Sequence, residues 1–132
     1  MKRILFVCVE NSNRSQMAEG FARMHGGARV DAYSAGSRAS GTINPRAVQF
    51  MAERGIDLRT QRSKSLDEIG NGPFDAVVTM GCGDACPWVA ATRRVDWALP
   101  DPKNLDDAEF RGVRDDIERR VIALLHELET QA

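Results

Sequence analysis

Apolar residues run along this chain in two rhythms. Short unbroken stretches, such as Ile4-Leu5-Phe6-Val7 and Ala76-Val77-Val78, alternate with longer ones in which apolar side chains return every three or four positions. A brief apolar run bounded by polar residues fits a strand buried on both faces, whereas three-to-four spacing fits one side of a helix. Strands are therefore predicted over residues 3–9, 30–35 and 75–80, with a short fourth at 95–97. Helices are predicted from Ser15 to about Gly26 (Met17, Phe21, Met24), from Pro45 to Gly55 (Ala47, Val48, Phe50, Met51), and over 110–128, where positions 110, 113, 117, 121, 124, 125 and 128 are apolar. Ser65 to Ile69 reads as a helical turn. Gly26-Gly27 and Gly55 supply helix stops, and Pro45 suits a first helical position. Strands alternating with helices predict an α/β fold: one parallel sheet with right-handed crossovers, in a single domain over 1–132.

Such sheets collect ligands outside the carboxyl ends of their strands. Cys8 ends the first predicted strand and Cys82 lies just past the third, so parallel strands bring these distant cysteines to one edge. Composition narrows the classes of function. A formal net charge of -1 over 132 residues argues against a nucleic-acid or anionic-membrane binder. No apolar run approaches the ~20 residues of a membrane span. Met1 to Val9 superficially mimics a signal peptide, but the run is too short and Glu10-Asn11-Ser12-Asn13-Arg14 interrupts it. A cytoplasmic protein is expected. Three cysteines in a reducing compartment point to catalysis, metal binding or inert thiols before a disulfide framework.

The strongest chemical signal is Cys8-Val9-Glu10-Asn11-Ser12-Asn13-Arg14-Ser15. A thiol at a strand end, a polar turn and an arginine opening a helix form a cradle for a tetrahedral oxyanion. Loop amides and the helix N-terminus surround the anion, and Arg14 can grip two of its oxygens. The same field favours the thiolate of Cys8, and the hydroxyls of Ser12 and Ser15 can donate to its sulfur. Ser15 also reads as a helix-starting hydroxyl. Asp101, before Pro102, is a loop carboxyl able to deliver a proton to a leaving oxygen. Asp106 and Asp107 read as solvated.

Cys8 through Glu19 resembles the phosphate-type loop of arsenate reductases of the low-molecular-weight protein tyrosine phosphatase superfamily. The resemblance continues through Tyr33-Ser34-Ala35-Gly36, Thr79-Met80-Gly81-Cys82-Gly83 and Trp97-Ala98-Leu99-Pro100-Asp101-Pro102, in the family's order. It implies a four-stranded parallel sheet of order 2-1-3-4 flanked by helices. It also implies that Cys8 attacks arsenate while Asp101 protonates the departing hydroxyl. Cys82 then attacks the Cys8 sulfur, and Cys86 resolves the resulting disulfide. Thioredoxin, or a glutaredoxin-like protein with a low-molecular-weight thiol, would recycle the enzyme; in some relatives the small thiol replaces the Cys86 step. Phosphate or sulfate would bind as analogues of arsenate. The implied biological role is arsenic detoxification by a monomer without a cofactor.

Competing readings are a low-molecular-weight phosphatase acting on small phosphate esters and an oxyanion-binding or redox-sensing protein. Phosphatases of this superfamily carry aromatic residues beside their Asp-Pro and a proline after the loop Arg-Ser, but here Lys103-Asn104 and Gln16 stand there. Glu10 stands where the family often has glycine, and a positive φ there would strain it. Some relatives bind potassium beside the loop, near the position of Ser63-Lys64-Ser65. Lys64 offers an ammonium in its place, so no metal is expected. Zinc is disfavoured too, since His25 and His126 are remote from the cysteines and expected on helix surfaces. Asn11, Glu19 and Ser34 are expected to support the loop by hydrogen bonding.

Overall fold

Ile4 to Val7 carry no polar side chain, so neither face of their strand can meet water cheaply, and the fold places that strand in the middle. In the computed structural model, which describes residues 1–69, 72–81 and 89–130, β1 (Lys2–Cys8) is flanked by β2 (Val30–Gly36) and β3 (Phe74–Thr79). β4 (Ala91–Asp96) closes a four-stranded parallel sheet of order β2-β1-β3-β4, as expected. Register aligns Cys8 with Gly36, Val7 with Thr79, and Thr79 with Asp96, so the carboxyl ends of all four strands share one edge.

Alternation along β1 divides the core. Ile4, Phe6 and Cys8 face α1 (Arg14–Gly26), α2 (Pro45–Ala52) and α4 (Asp107–Thr130), packing with Met17, Phe21, Phe50, Phe110, Ile117 and Val121. Leu5 and Val7 face the other way, against Ala35, Phe74, Val77 and Val89, with Leu66 and Ile69 of α3 (Leu66–Ile69) at the margin. Among the described residues, no helix is long and apolar enough to cross a membrane.

Three elements depart from the sequence pattern by more than one residue. β4 covers residues 91–96 and not 95–97; it is an edge strand, alternating half-buried with exposed residues, so Thr92 and Arg94 stand in solvent and dilute the apolar signal. α4 begins at Asp107, because the Asp106 carboxylate accepts the Glu109 N–H at 2.8 Å and caps a first turn rich in acidic residues. α2 ends at Ala52, three residues before Gly55. His25 is half-buried rather than on the helix surface: its Nε2 lies 2.8 Å from the Glu118 carboxylate, which also binds Arg54 at 2.6 Å. His126 is exposed.

Candidate active site

β1 delivers Cys8 to the sheet edge on the face that α1 covers, which decides what its sulfur meets. The thiol is 2% exposed, and its Sγ lies 2.8 Å from the Ser15 hydroxyl, in the first turn of α1. Asn11 Nδ2 donates to that hydroxyl oxygen at 2.7 Å. With its oxygen already accepting, Ser15 has its own hydrogen free to point at the sulfur. Ser15 therefore faces the sulfur of Cys8 and does not start the helix. Asn13 occupies the N-cap position, yet its side chain makes no cap bond and its Oδ1 is buried without a partner. The first amides of α1 thus lack a side-chain cap, which suits them to an anion.

The turn between Cys8 and Arg14 is held from several sides. Asn11 adopts φ 51°, alone among the described non-glycine residues in having positive φ. The strain considered for Glu10 therefore falls on the next residue, and asparagine tolerates it better than glutamate. The Asn11 carboxamide oxygen accepts from Gln16 Nε2 and from the Lys64 N–H, both at 2.8 Å. The carbonyls of Val9, Glu10 and Ser12 accept from the backbone N–H groups of Arg38, Ser40 and Asn44 at 2.8–3.0 Å. Gly36 lets β2 approach: a Cβ there would lie 2.5 Å from the Val9 carbonyl oxygen.

Beneath the turn is a small buried polar cluster. The Glu19 carboxylate, 2% exposed, accepts from the Ser34 hydroxyl at 2.5 Å and pairs with Arg23 at 2.9 Å. The Lys64 ammonium stands 3.5 Å away. Burial lowers the Lys64 pKa, and Glu19 opposes that shift. Asn11 holds the loop through its own bonds, whereas Glu19 and Ser34 bond each other beside Lys64, whose backbone N–H binds Asn11.

Cys8, Val9, Glu10, Ser12, Asn13, Arg14, Arg38 and Asp101 line one cavity of about 390 Å³. The Arg14 guanidinium donates to the Leu99 carbonyl at 3.0 Å, tying the cradle to the loop that carries Asp101. Asp101 is exposed; its Oδ1 accepts from the Lys103 N–H at 3.0 Å, which fixes the carboxyl at the cavity wall. Ser12 lines the cavity, but the hydroxyl that meets the sulfur is that of Ser15. Cys82 and Cys86 lie outside the described residues. Arg38 has no counterpart in the sequence reading; it follows Gly36, the register partner of Cys8, and that pairing is the signal that could have revealed it.

Nothing aromatic lines this cavity among the described residues, so an aryl ester would find no ring to stack on, whereas a small oxyanion finds guanidinium, amides and a thiol. The chain matches the low molecular weight phosphotyrosine protein phosphatase family over residues 3–132. It is 42% identical over 130 residues to an arsenate reductase of Bacillus subtilis, covering 91% of this chain and 92% of that one. It is 38% identical over 128 residues to a glutaredoxin arsenate reductase of Synechocystis, covering 95% and 97%. A solved arsenate reductase in the phosphate binding state superposes with a TM-score of 0.89 at 38% identity, covering 96% of this chain and 98% of that one. The chain belongs to the low molecular weight phosphotyrosine protein phosphatase family, and within it groups with the arsenate reductases.

Proposed function

We propose that the protein reduces arsenate to arsenite in the cytoplasm, with Cys8 as the nucleophile. The observation that carries this reading is the convergence of Cys8, Arg14 and Asp101 on one cavity that has no aromatic wall among the described residues, the sulfur within hydrogen-bond distance of Ser15. Arsenate sits in the cradle formed by residues 9–14 and the N-terminus of α1, its oxygens held by amides and Arg14. The Cys8 thiolate attacks arsenic in line with a departing hydroxyl. The As–O bond breaks, Asp101 supplies the proton that makes the leaving group water, and arsenic remains pentavalent.

Reduction comes with the second thiol. The Cys82 thiolate attacks Cys8 Sγ; an S–S bond forms and the S–As bond breaks. The electron pair of that bond stays on arsenic, which departs as arsenite. Cys86 then resolves the Cys8–Cys82 disulfide, and thioredoxin or a glutaredoxin-like protein with a small thiol returns the cysteines to thiols. Glu10, Asn11, Ser12 and Asn13 shape the cradle, and Ser15 holds the thiolate.

Arsenite formation from arsenate, followed with thioredoxin and separately with glutaredoxin plus a small thiol, tests this. Wild type should make arsenite with at least one reductant. Cys8→Ser should abolish turnover, and Cys82→Ser should reduce it to near background. Hydrolysis of small phosphate esters with no arsenite under any reductant would show a phosphatase. Full activity in Cys82→Ser would remove that residue from the relay.

A further inference from the structure

The cavity is larger than its oxyanion needs. Five heavy atoms, at the ~30 Å³ that each water molecule occupies in the liquid, take up no more than about 150 Å³. The cavity holds about 390 Å³. That size suits a small molecule, and the same lining carries two charged side chains, those of Arg38 and Glu10, that bind no other part of the described chain. Among the described residues, Arg38 is exposed with no partner for its side chain, whereas every other arginine engages a carboxylate, a carbonyl or a ring. The Glu10 carboxylate, on the same cavity, is also unpaired among the described residues. Their backbones are not free to drift: the Arg38 N–H donates to the Val9 carbonyl at 2.8 Å, and the Ser40 N–H to the Glu10 carbonyl at 3.0 Å. A free cation and a free anion are thereby held at fixed stems beside Cys8.

We propose that Arg38 and Glu10 form an outer subsite for the amino-acid end of a small zwitterionic thiol, Arg38 taking its carboxylate and Glu10 its ammonium. The proposal rests on the thiol relay described above and supplies an external thiol in place of the Cys86 step. Opposite charges select the ligand: a polyanion would meet repulsion from Glu10, and a neutral thiol would leave both charges unused. Once arsenite has left, the bound thiolate attacks Cys8 Sγ. A bond forms between the two sulfurs, the Cys8–Cys82 bond breaks, and Cys82 leaves with the electron pair as thiolate. A second molecule of the thiol attacks the mixed disulfide, releasing the oxidised small thiol and restoring the Cys8 thiolate. Two thiols are oxidised and one protein disulfide is reduced.

The test follows arsenite formation by wild type, Arg38→Gln, Arg38→Lys and Glu10→Gln, with glutathione and with 2-mercaptoethanol as the varied thiol. One charge-assisted contact corresponds to roughly a tenfold change in binding. Arg38→Gln should therefore raise the half-saturating glutathione concentration about tenfold more than that of 2-mercaptoethanol, and Arg38→Lys should recover part of the loss. Glu10→Gln should shift glutathione in the same direction. Equal shifts for both thiols, no shift for either, or a shift confined to the KM for arsenate would overturn the subsite while leaving the reductase intact. A wild type that makes no arsenite with any reductant would instead sink the reductase reading, and the subsite with it.

Discussion

Gly81 and Gly55 have nearly the same φ, 78° and 77°, but different surroundings. Nothing lies within 4 Å of a Cβ built on Gly55, whereas one on Gly81 would sit 2.7 Å from Arg14 Nη1 and 3.4 Å from the Leu99 carbonyl oxygen. Alanine at either site takes on the left-handed conformation, at about 1–2 kcal/mol. Gly81→Ala must also move the end of the Arg14 side chain, which can yield, but only by giving up its 3.0 Å bond to Leu99 and its aim into the cradle. A hydrogen bond to a charged group contributes about 1.5–3 kcal/mol. At about 1.4 kcal/mol per tenfold, that is roughly a ten- to 150-fold loss of oxyanion affinity.

The pair of variants separates the two effects. Urea denaturation should give Gly81→Ala a stability loss at least as large as that of Gly55→Ala, since it also loses the Arg14–Leu99 bond, while calorimetric titration with phosphate should show weakened binding in Gly81→Ala alone. Phosphate binding by Gly81→Ala within twofold of Gly55→Ala would refute the argument, since Arg14 would then tolerate displacement without consequence.

Two further outcomes follow from the hydrogen bonds. Ser15→Ala removes the donor to Cys8 Sγ, so alkylation of Cys8 by iodoacetamide at neutral pH should slow about tenfold or more, from the worth of a charge-assisted bond; an unchanged rate would mean the hydroxyl does not support the thiolate. Glu53 is held at a pKa of about 2 by hydrogen bonds from Arg111, then Arg114. Because its folded pKa lies below the unfolded value, its stabilisation is present above pH ~4.5 and is lost as pH falls toward about 2. Thermal melts across that window should show Glu53→Gln less stable than wild type at neutral pH and the two converging near pH 2; parallel curves would disprove the linkage.

How far the sequence reveals this site depends on how local each cause is. Cys8, Arg14 and Ser15 are fixed by one strand, one turn and one helix start, and their spacing can be read directly. β4 is harder to read because an edge strand needs only one partner and keeps a solvated row. The positive φ of Asn11 is set by a turn whose path depends on contacts with residues 36–44 and 61–64, far along the chain. Arg38 is obscured for a related reason. Nothing near it in sequence suggests a site; only the pairing of Cys8 with Gly36 brings the residues after β2 beside those after β1.

That pairing also explains the division of labour within the cavity. Side chains alternate across a strand, so a one-residue slip of β1 would turn Cys8 away from α1 and from Ser15. Ile4 and Phe6, wholly buried on the same face, oppose the slip with their full burial, which ties the direction of the thiol to the hydrophobic core. The inner wall inherits that rigidity: Ser15, Asn11 and Arg14 are each buried and bonded to protein. Arg38 and Asp101 at the mouth are exposed and sit on backbone fixed by hydrogen bonds. A fixed interior suits an oxyanion whose geometry never varies. An open, charged mouth suits reactants that arrive in turn, as the proposed relay requires: arsenate first, then the thiols that would restore Cys8.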